Sequence, residues 1–312
     1  MKFNPKKAAF GRHETFPLRY SWLTKAYQEV TKDGAVFGSD ESTVKLGVGK
    51  NMVSAIRYWA LATGVIEKSD SDAVGFEITE FGRLVFDEES GFDPYLEDEA
   101  TIWLLHWRLA STPELATGIY WLFNLYHKPE FLTLDAVDAL DDFAKHDLSG
   151  KYSKNTLKND ISVILRMYTD APLKAKSSMD ELLDAPFTSL GLISLLPDNK
   201  THRLEVGFQQ SLPLEIVGYA VASVFEAAGA DSISLEDLMY GKSDYPAPGA
   251  VFNLSESAFV AFLEQLEHYD GSFTLSESAG VNLLYRNKDI DTKPLDYLRA
   301  YYQKGVGVGK VA

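Results

Sequence analysis

The chain contains no cysteine. That absence excludes disulfides, thiolate zinc sites, iron–sulfur clusters and cysteine nucleophiles. It fits a reducing compartment, and a cytoplasmic protein is expected. Long apolar runs are missing too. The opening MKFNPKKAAF has charge but no apolar stretch of the kind a secretory signal needs. The most apolar segment, LEIVGYAVASVFEAAGA, is interrupted by Glu215 and Glu226. It predicts a buried helix and no membrane span. Common catalytic signatures are also lacking: there is no Gly-x-Ser-x-Gly elbow, no His-Glu-x-x-His helix and no paired-cysteine spacing. Two segments imitate a phosphate loop and fail its spacing. LGVGKN has Val44 where the first glycine belongs and Asn51 where the magnesium-ligating hydroxyl belongs. YGKSD, at 240–244, has Glu236 in place of that glycine.

The 312 residues exceed the usual single-domain size, and 46% hydrophobic content suffices for a real core. The formal net charge of −15 hides an asymmetry. Residues 1–60 carry ten Lys/Arg and five Asp/Glu, a balance of +5; the rest carries 20 basic and 40 acidic residues, a balance of −20. A basic end can bind a phosphate backbone while an acidic body faces protein partners. The plainer reading is chance clustering on a solvated face.

Local pattern sharpens this. Residues 22–32 have helical spacing and stop at Gly34. Ser39 or Asp40 can cap a short helix holding Thr43, Val44 and Leu46. KNMVSAIRYWALAT is a third helix, closed by Gly64. VIEKSDSDAVGFEITEFGRLVF then reads as two β-type runs around a polar tip, a hairpin by composition. Three helices and a hairpin in this order describe a winged helix-turn-helix. At 100° per residue, Lys50, Asn51, Ser54, Arg57 and Tyr58 share one face of the third helix, opposite Met52, Val53, Ile56 and Trp59. The polar face carries the residue types that contact phosphates and base edges. Residues 42–66 hold no carboxylate, although surface helices usually mix signs.

The pattern recurs. KYSKNTLKNDISVILRMYTD sets Asn155, Lys158, Asn159, Ser162 and Arg166 against Leu157, Ile161, Ile164, Leu165 and Tyr168. After an insertion, LGLISLLPDNKTHRLEVGF supplies a second hairpin. A third unit, SISLEDLMYG with LSESAFVAFLEQLEHYDGSFTLSESAGVNLLYR, has an acidic helix (Glu256, Glu264, Glu267). Between the first two units, Trp103, Trp107, Trp121, Phe123 and Tyr126 are read as core, with His106 and His127 packed among them. KGVGVGKVA, at the C-terminus, reads as flexible. The expected architecture is mainly α (α+β), with several winged helix-turn-helix units joined by a helical region. The divisions fall at 1–90, 91–210 and 211–312.

The residues for chemistry concentrate in GRHETFPLRYSW, residues 11–22. His13 and Glu14 beside Arg12 and Arg19 offer a base, a carboxylate and two cations. Phosphodiester cleavage needs a nucleophile activator, charge neutralisation and usually Mg²⁺ or another divalent metal. One carboxylate is thin for a metal; others would come from Asp93, Glu97 or Asp98. The structural alternative pairs Glu14 with an arginine and makes the segment a plain N-terminal arm.

FGRHETFPLRYSWLTKA followed by STVKLGVGKNMVSAIRYWALATGVIE resembles the SspB-like proteins of bacterial DNA phosphorothioation systems, most strongly over residues 10–85. The resemblance implies a DNA-nicking component acting beside a cysteine desulfurase, an ATPase and a sulfurtransferase of the ATP-pyrophosphatase type. Together these place sulfur on one DNA strand and support defence against phage. A chain without cysteine cannot carry the sulfur as a persulfide. The expectation is therefore a binder of double-stranded DNA that nicks one strand, with His13 and Glu14 as catalytic candidates. Arg12, Arg19 and Lys45 would hold phosphates, and Lys50, Asn51, Ser54 and Arg57 would line a groove. The alternatives are a non-catalytic adaptor that reads DNA and recruits the sulfur-transfer enzymes, and a scaffold without DNA contact.

Overall fold

Helix α1 (Tyr20–Lys32) forms because Trp22, Leu23, Ala26, Tyr27 and Val30 recur at helical spacing and bury one face. A computed structural model describes the protein over residues 1–70, 75–170, 185–241, 244–278 and 280–306. After α1 comes a short helix α2 (Ser42–Leu46), ended by Gly47 at φ 66°. That left-handed turn favours glycine and sends the chain into α3 (Lys50–Ala62). Helix α3 docks on α1 through Val53, Ala55, Ile56, Trp59 and Ala60, all buried, and Gly64 at φ 71° follows its end. Strands β1 (Ile66–Lys68) and β2 (Phe76–Ile78) pair antiparallel, with Ile66 opposite Ile78. The hairpin tip at 71–74 lies outside the described residues.

The second β-type run is shorter than its composition predicts. Strand β2 stops at Ile78, and residues Glu80–Phe86 form helix α4. The cause is local: the Thr79 hydroxyl accepts the Gly82 N–H at 2.8 Å, an N-cap, and Phe81, Val85 and Phe86 then fall on one buried face.

Helices α5 (Glu99–Ala110) and α6 (Thr117–Asn124) occupy the centre. Trp103, Trp107, Trp121, Phe123 and Tyr126 are all buried there. His106 is buried as expected, but His127 is exposed, because α6 ends at Asn124 and the chain turns outward. Strand β3 (Glu130–Leu132), α7 (Thr133–His146) and α8 (Lys154–Tyr168) follow, then β4 (Ile193–Leu195) and β5 (Thr201–Leu204). They make a three-stranded antiparallel sheet in the order β3-β5-β4, with Phe131 and Leu195 both opposite His202.

The same succession returns once more. The apolar segment is helix α9 (Leu214–Ala228), buried along most of its length. Next come β6 (Ser232–Ser234), α10 (Leu235–Tyr240), α11 (Pro248–Val251), α12 (Glu256–Asp270), β7 (Phe273–Ser278) and β8 (Val281–Arg286). The sheet order is β6-β8-β7. In both three-stranded sheets the strand before the helices sits beside the last strand. The closing helix α13 (Pro294–Val306) lies on α9, with Tyr297 against Gly218, where any side chain would collide with the ring. Helix therefore continues into the start of KGVGVGKVA, and residues 307–312 lie outside the described residues, as do Lys242 and Ser243 of YGKSD. The molecule is mainly α with small antiparallel sheets. Among the described residues no helix is long and apolar enough to cross a membrane.

Candidate nucleic-acid interface

The segment GRHETFPLRYSW wedges between α3 and α8. Gly11, at φ 71°, donates its N–H to Asp160 Oδ2 of α8 at 2.8 Å. His13 Nε2 lies 3.0 Å from Asp160 Oδ1, and His13 Nδ1 accepts the Thr15 N–H at 3.1 Å. Because Nδ1 accepts, the ring proton sits on Nε2 and is donated to Asp160. Both groups are buried, so the pair is a closed internal contact. The His13 ring stacks on Trp59 and meets Tyr58 edge-on, both on α3. Trp59 Nε1 donates to the Phe16 carbonyl at 3.1 Å, and the Tyr58 hydroxyl donates to the Leu115 carbonyl at 3.1 Å. Burial, and then the Asp160 carboxylate, push the Tyr58 phenol far above its ordinary pKa, so it stays a neutral donor.

The turn after His13 is strained. Glu14 and Thr15 adopt φ of 50° and 65°, which β-branched threonine in particular disfavours. Three bonds hold the turn: Thr15 N–H to His13, Phe16 N–H to the His13 carbonyl at 2.8 Å, and Arg166 of α8 to the Thr15 carbonyl at 2.6 Å. The consequence is that Arg12 and Glu14 stay exposed while His13 between them is buried.

Each candidate residue has a definite place. Lys50, Asn51 and Arg57 are exposed on α3, and Ser54 is half-buried beside them. The N-terminus of α3 begins after the exposed Gly49, with no side-chain cap and no acid in its first turn. Lys45 is exposed on α2 and pairs with Asp33 at 3.1 Å. Arg19 is half-buried at the start of α1, with its guanidinium 5.5 Å from the Trp22 ring centroid.

Two of the carboxylates considered for a metal, Asp93 and Asp98, are engaged elsewhere, while Glu97 is exposed. Asp93 is buried and accepts the N–H groups of Glu97 and Asp98 at 2.8 and 3.1 Å. Asp98 caps α5 and accepts from Tyr301. Among the described residues no group of three or more His, Asp or Glu is placed to hold a metal ion. Among the described residues, those around Glu14 therefore do not by themselves form a divalent-metal site.

Sequence reading missed Asp160, the anchor of the whole arm. Its signal is present nonetheless: a lone acid between Leu157 and Ile161, at the edge of an apolar helix stripe, needs a buried partner.

Comparison with known proteins shows the family and the overall fold. Residues 10–302 match a family described as a protein of unknown function, DUF4007. A magnesium ion-bound SspB crystal structure superposes with a TM-score of 0.83 at 30% identity, covering 97% of this chain and 90% of that one. A second SspB crystal structure gives 0.82 at 30% identity, covering 98% and 92%. Among curated proteins no match is found. The chain belongs to the DUF4007 family, and over nearly its whole length it is similar to SspB proteins of known structure.

Proposed function

We propose that this protein binds duplex DNA as a component of a bacterial phosphorothioate-modification and phage-defence system. The segment 1–90 is then a basic arm plus a winged helix. The second and third units, within 91–210 and 211–312, are winged-helix-like, and the helical region α5–α6 lies between the first and second units. One observation carries the reading: α3 exposes Lys50, Asn51 and Arg57 beside the exposed Arg12, with no carboxylate from residue 42 to 66. Such a face matches a phosphate-lined groove in charge and in donor chemistry. Asn51 is suited to adenine and Arg57 to guanine or phosphate. Lys50, Lys45 and Arg19 add phosphate contacts, with Lys45 first leaving Asp33, and Ser54 supports the groove wall. The cysteine desulfurase, sulfurtransferase and ATPase of such a system are the partners in this reading, docking on the acidic remainder.

Fluorescence anisotropy with labelled duplexes tests the reading. Arg57→Ala weakens binding on every sequence and lowers the salt slope by about 1 if it meets phosphate. Asn51→Ala costs about 1–3 kcal/mol of discrimination at one base. Wild-type protein with no salt-dependent affinity for DNA refutes the proposal.

A second reading adds strand nicking, and the magnesium ion bound to the related SspB favours it. In it His13 and Glu14 act on the backbone held by Arg12 and Arg19. His13 would first have to leave Asp160, since both of its ring nitrogens are engaged. Supercoiled plasmid incubated with protein and Mg²⁺ separates the two. Open circles that vanish in Glu14→Gln support the nick; a gel shift without open circles leaves the adaptor.

A further inference from the structure

We infer that the exposed face of α8 is a second DNA-contacting surface, continuous with that of α3 and held in register with it by the arm. This rests on the DNA-binding reading above and extends it from one helix to two.

Two stretches of this acidic chain lack exposed carboxylates. Residues 42–66 contain none, and residues 148–169 contain only Asp160, which is buried. With 45 acids in 312 residues, these 47 positions would hold about seven at the chain's average; they hold one. The fold puts the two stretches on either flank of the same segment. Asp160 is turned inward to Gly11 and His13, which removes its charge from the outer face. Arg166 reaches the Thr15 carbonyl, so the polar face of α8 starts where the arm ends. From that edge Asn155, Lys158 and Ser162 sweep outward, all exposed, while Leu157, Ile161 and Ile164 are buried. On the other flank, Trp59 and Tyr58 touch the arm, and Asn51 and Arg57 continue the surface. Arg12, exposed on the arm beside the buried His13, adds a cation to this surface.

The nearby acids bound this face. Lys154, at the start of α8, pairs with Asp138 at 2.5 Å and also faces Asp141 and Asp142 of α7, and Glu14 is the arm's own exposed acid. The cationic part of the face therefore begins one turn further on, at the exposed Lys158. A polyanion longer than one groove contact is the occupant this shape and charge fit, and a continuous duplex supplies it. Successive major-groove contacts on one side of a duplex stand about one turn, roughly 10 base pairs, apart. A second helix gains contacts only when the duplex runs on.

The test uses the full chain and the double variant Asn155→Asp, Lys158→Glu. Both side chains are exposed, so folding should be unchanged, which a thermal melt checks. On a duplex of about 20 base pairs the variant should bind about tenfold more weakly than wild type, with the salt slope reduced by about 1. On a duplex of about 10 base pairs the two proteins should bind equally. If the double variant matches wild type on both lengths while Arg57→Ala loses affinity, the inference fails and DNA binding by α3 stands. If the double variant loses only binding to a polyglutamate probe, α8 takes an acidic protein and the inference is overturned. If wild type binds neither duplex, the underlying reading has failed first.

Discussion

At the scale of single residues, two buried histidines do different work. His13 fixes the arm: with Asp160 it closes a contact from which neither group can be removed singly without orphaning the other. Asp160→Ala leaves the Gly11 N–H and the His13 Nε2–H buried without acceptors. The expected cost is about 2–4 kcal/mol, read from chemical denaturation, with the arm becoming a site of proteolytic cleavage. His106 ties three helices instead. Its two ring nitrogens meet the Tyr168 hydroxyl at 2.8 Å and the Val251 carbonyl at 2.7 Å. Burial lowers its pKa to about 4, against the rise caused by the Val251 bond. In the unfolded chain the ring protonates near pH 6.5, while the folded protein resists until about 4. The unfolded state therefore binds the extra proton in that window, and stability present above pH 6.5 is lost as pH falls toward 4. The loss attributable to this ring is about 3 kcal/mol. His106→Gln should be less stable at neutral pH but show a flatter acid limb in urea titrations at stepped pH. An unchanged acid limb would assign the effect to other groups.

At the scale of elements, what the sequence revealed and what it hid have separate causes. Helices α3 and α8 were legible because their apolar stripes are wide and their opposite faces uniform. Asn155, Lys158 and Ser162 are exposed and Leu157 and Ile161 buried, as angular spacing requires. Helix α4 was hidden because EFGRLVF is rich in residues that favour strands, and only the Thr79 hydroxyl decides the matter. Thr79→Val keeps the shape but removes the cap. It should cost about 1 kcal/mol, seen as a lower thermal midpoint, without changing DNA affinity. His127 was misplaced because nothing in its neighbours marks where α6 ends. The candidate site was legible in composition and not in connection. Charge pattern picked out Arg12, Lys50, Asn51 and Arg57, but no local signal joins residue 13 to residue 160. Such a pair is created by packing and is invisible to any window of sequence.

At the scale of the whole molecule, a protein of net charge −15 is a poor binder of DNA unless its charge is segregated. Here segregation operates at two levels. The chain concentrates its basic excess in the first 60 residues, and the fold adds the carboxylate-poor face of α8 from more than 90 residues later. The arm is the element that makes these one surface, since it contacts both helices at once. The acidic helix α12, bearing Glu256 and Glu264 outward, belongs to the remainder, where in the proposed DNA-binding reading its charge would repel a duplex. This division predicts a specific salt dependence. Counterion release contributes a slope of about −0.9 per phosphate neutralised. If Arg12, Arg19, Lys45, Lys50 and Arg57 act without α8, log affinity should fall with log salt at a slope of about −4.5. If Lys158 joins them on a longer duplex, the slope should steepen to about −5.4. Anisotropy titrations at four salt concentrations on short and long duplexes measure both values. A slope near zero on either would mean that the basic face does not meet phosphate, whatever the overall affinity.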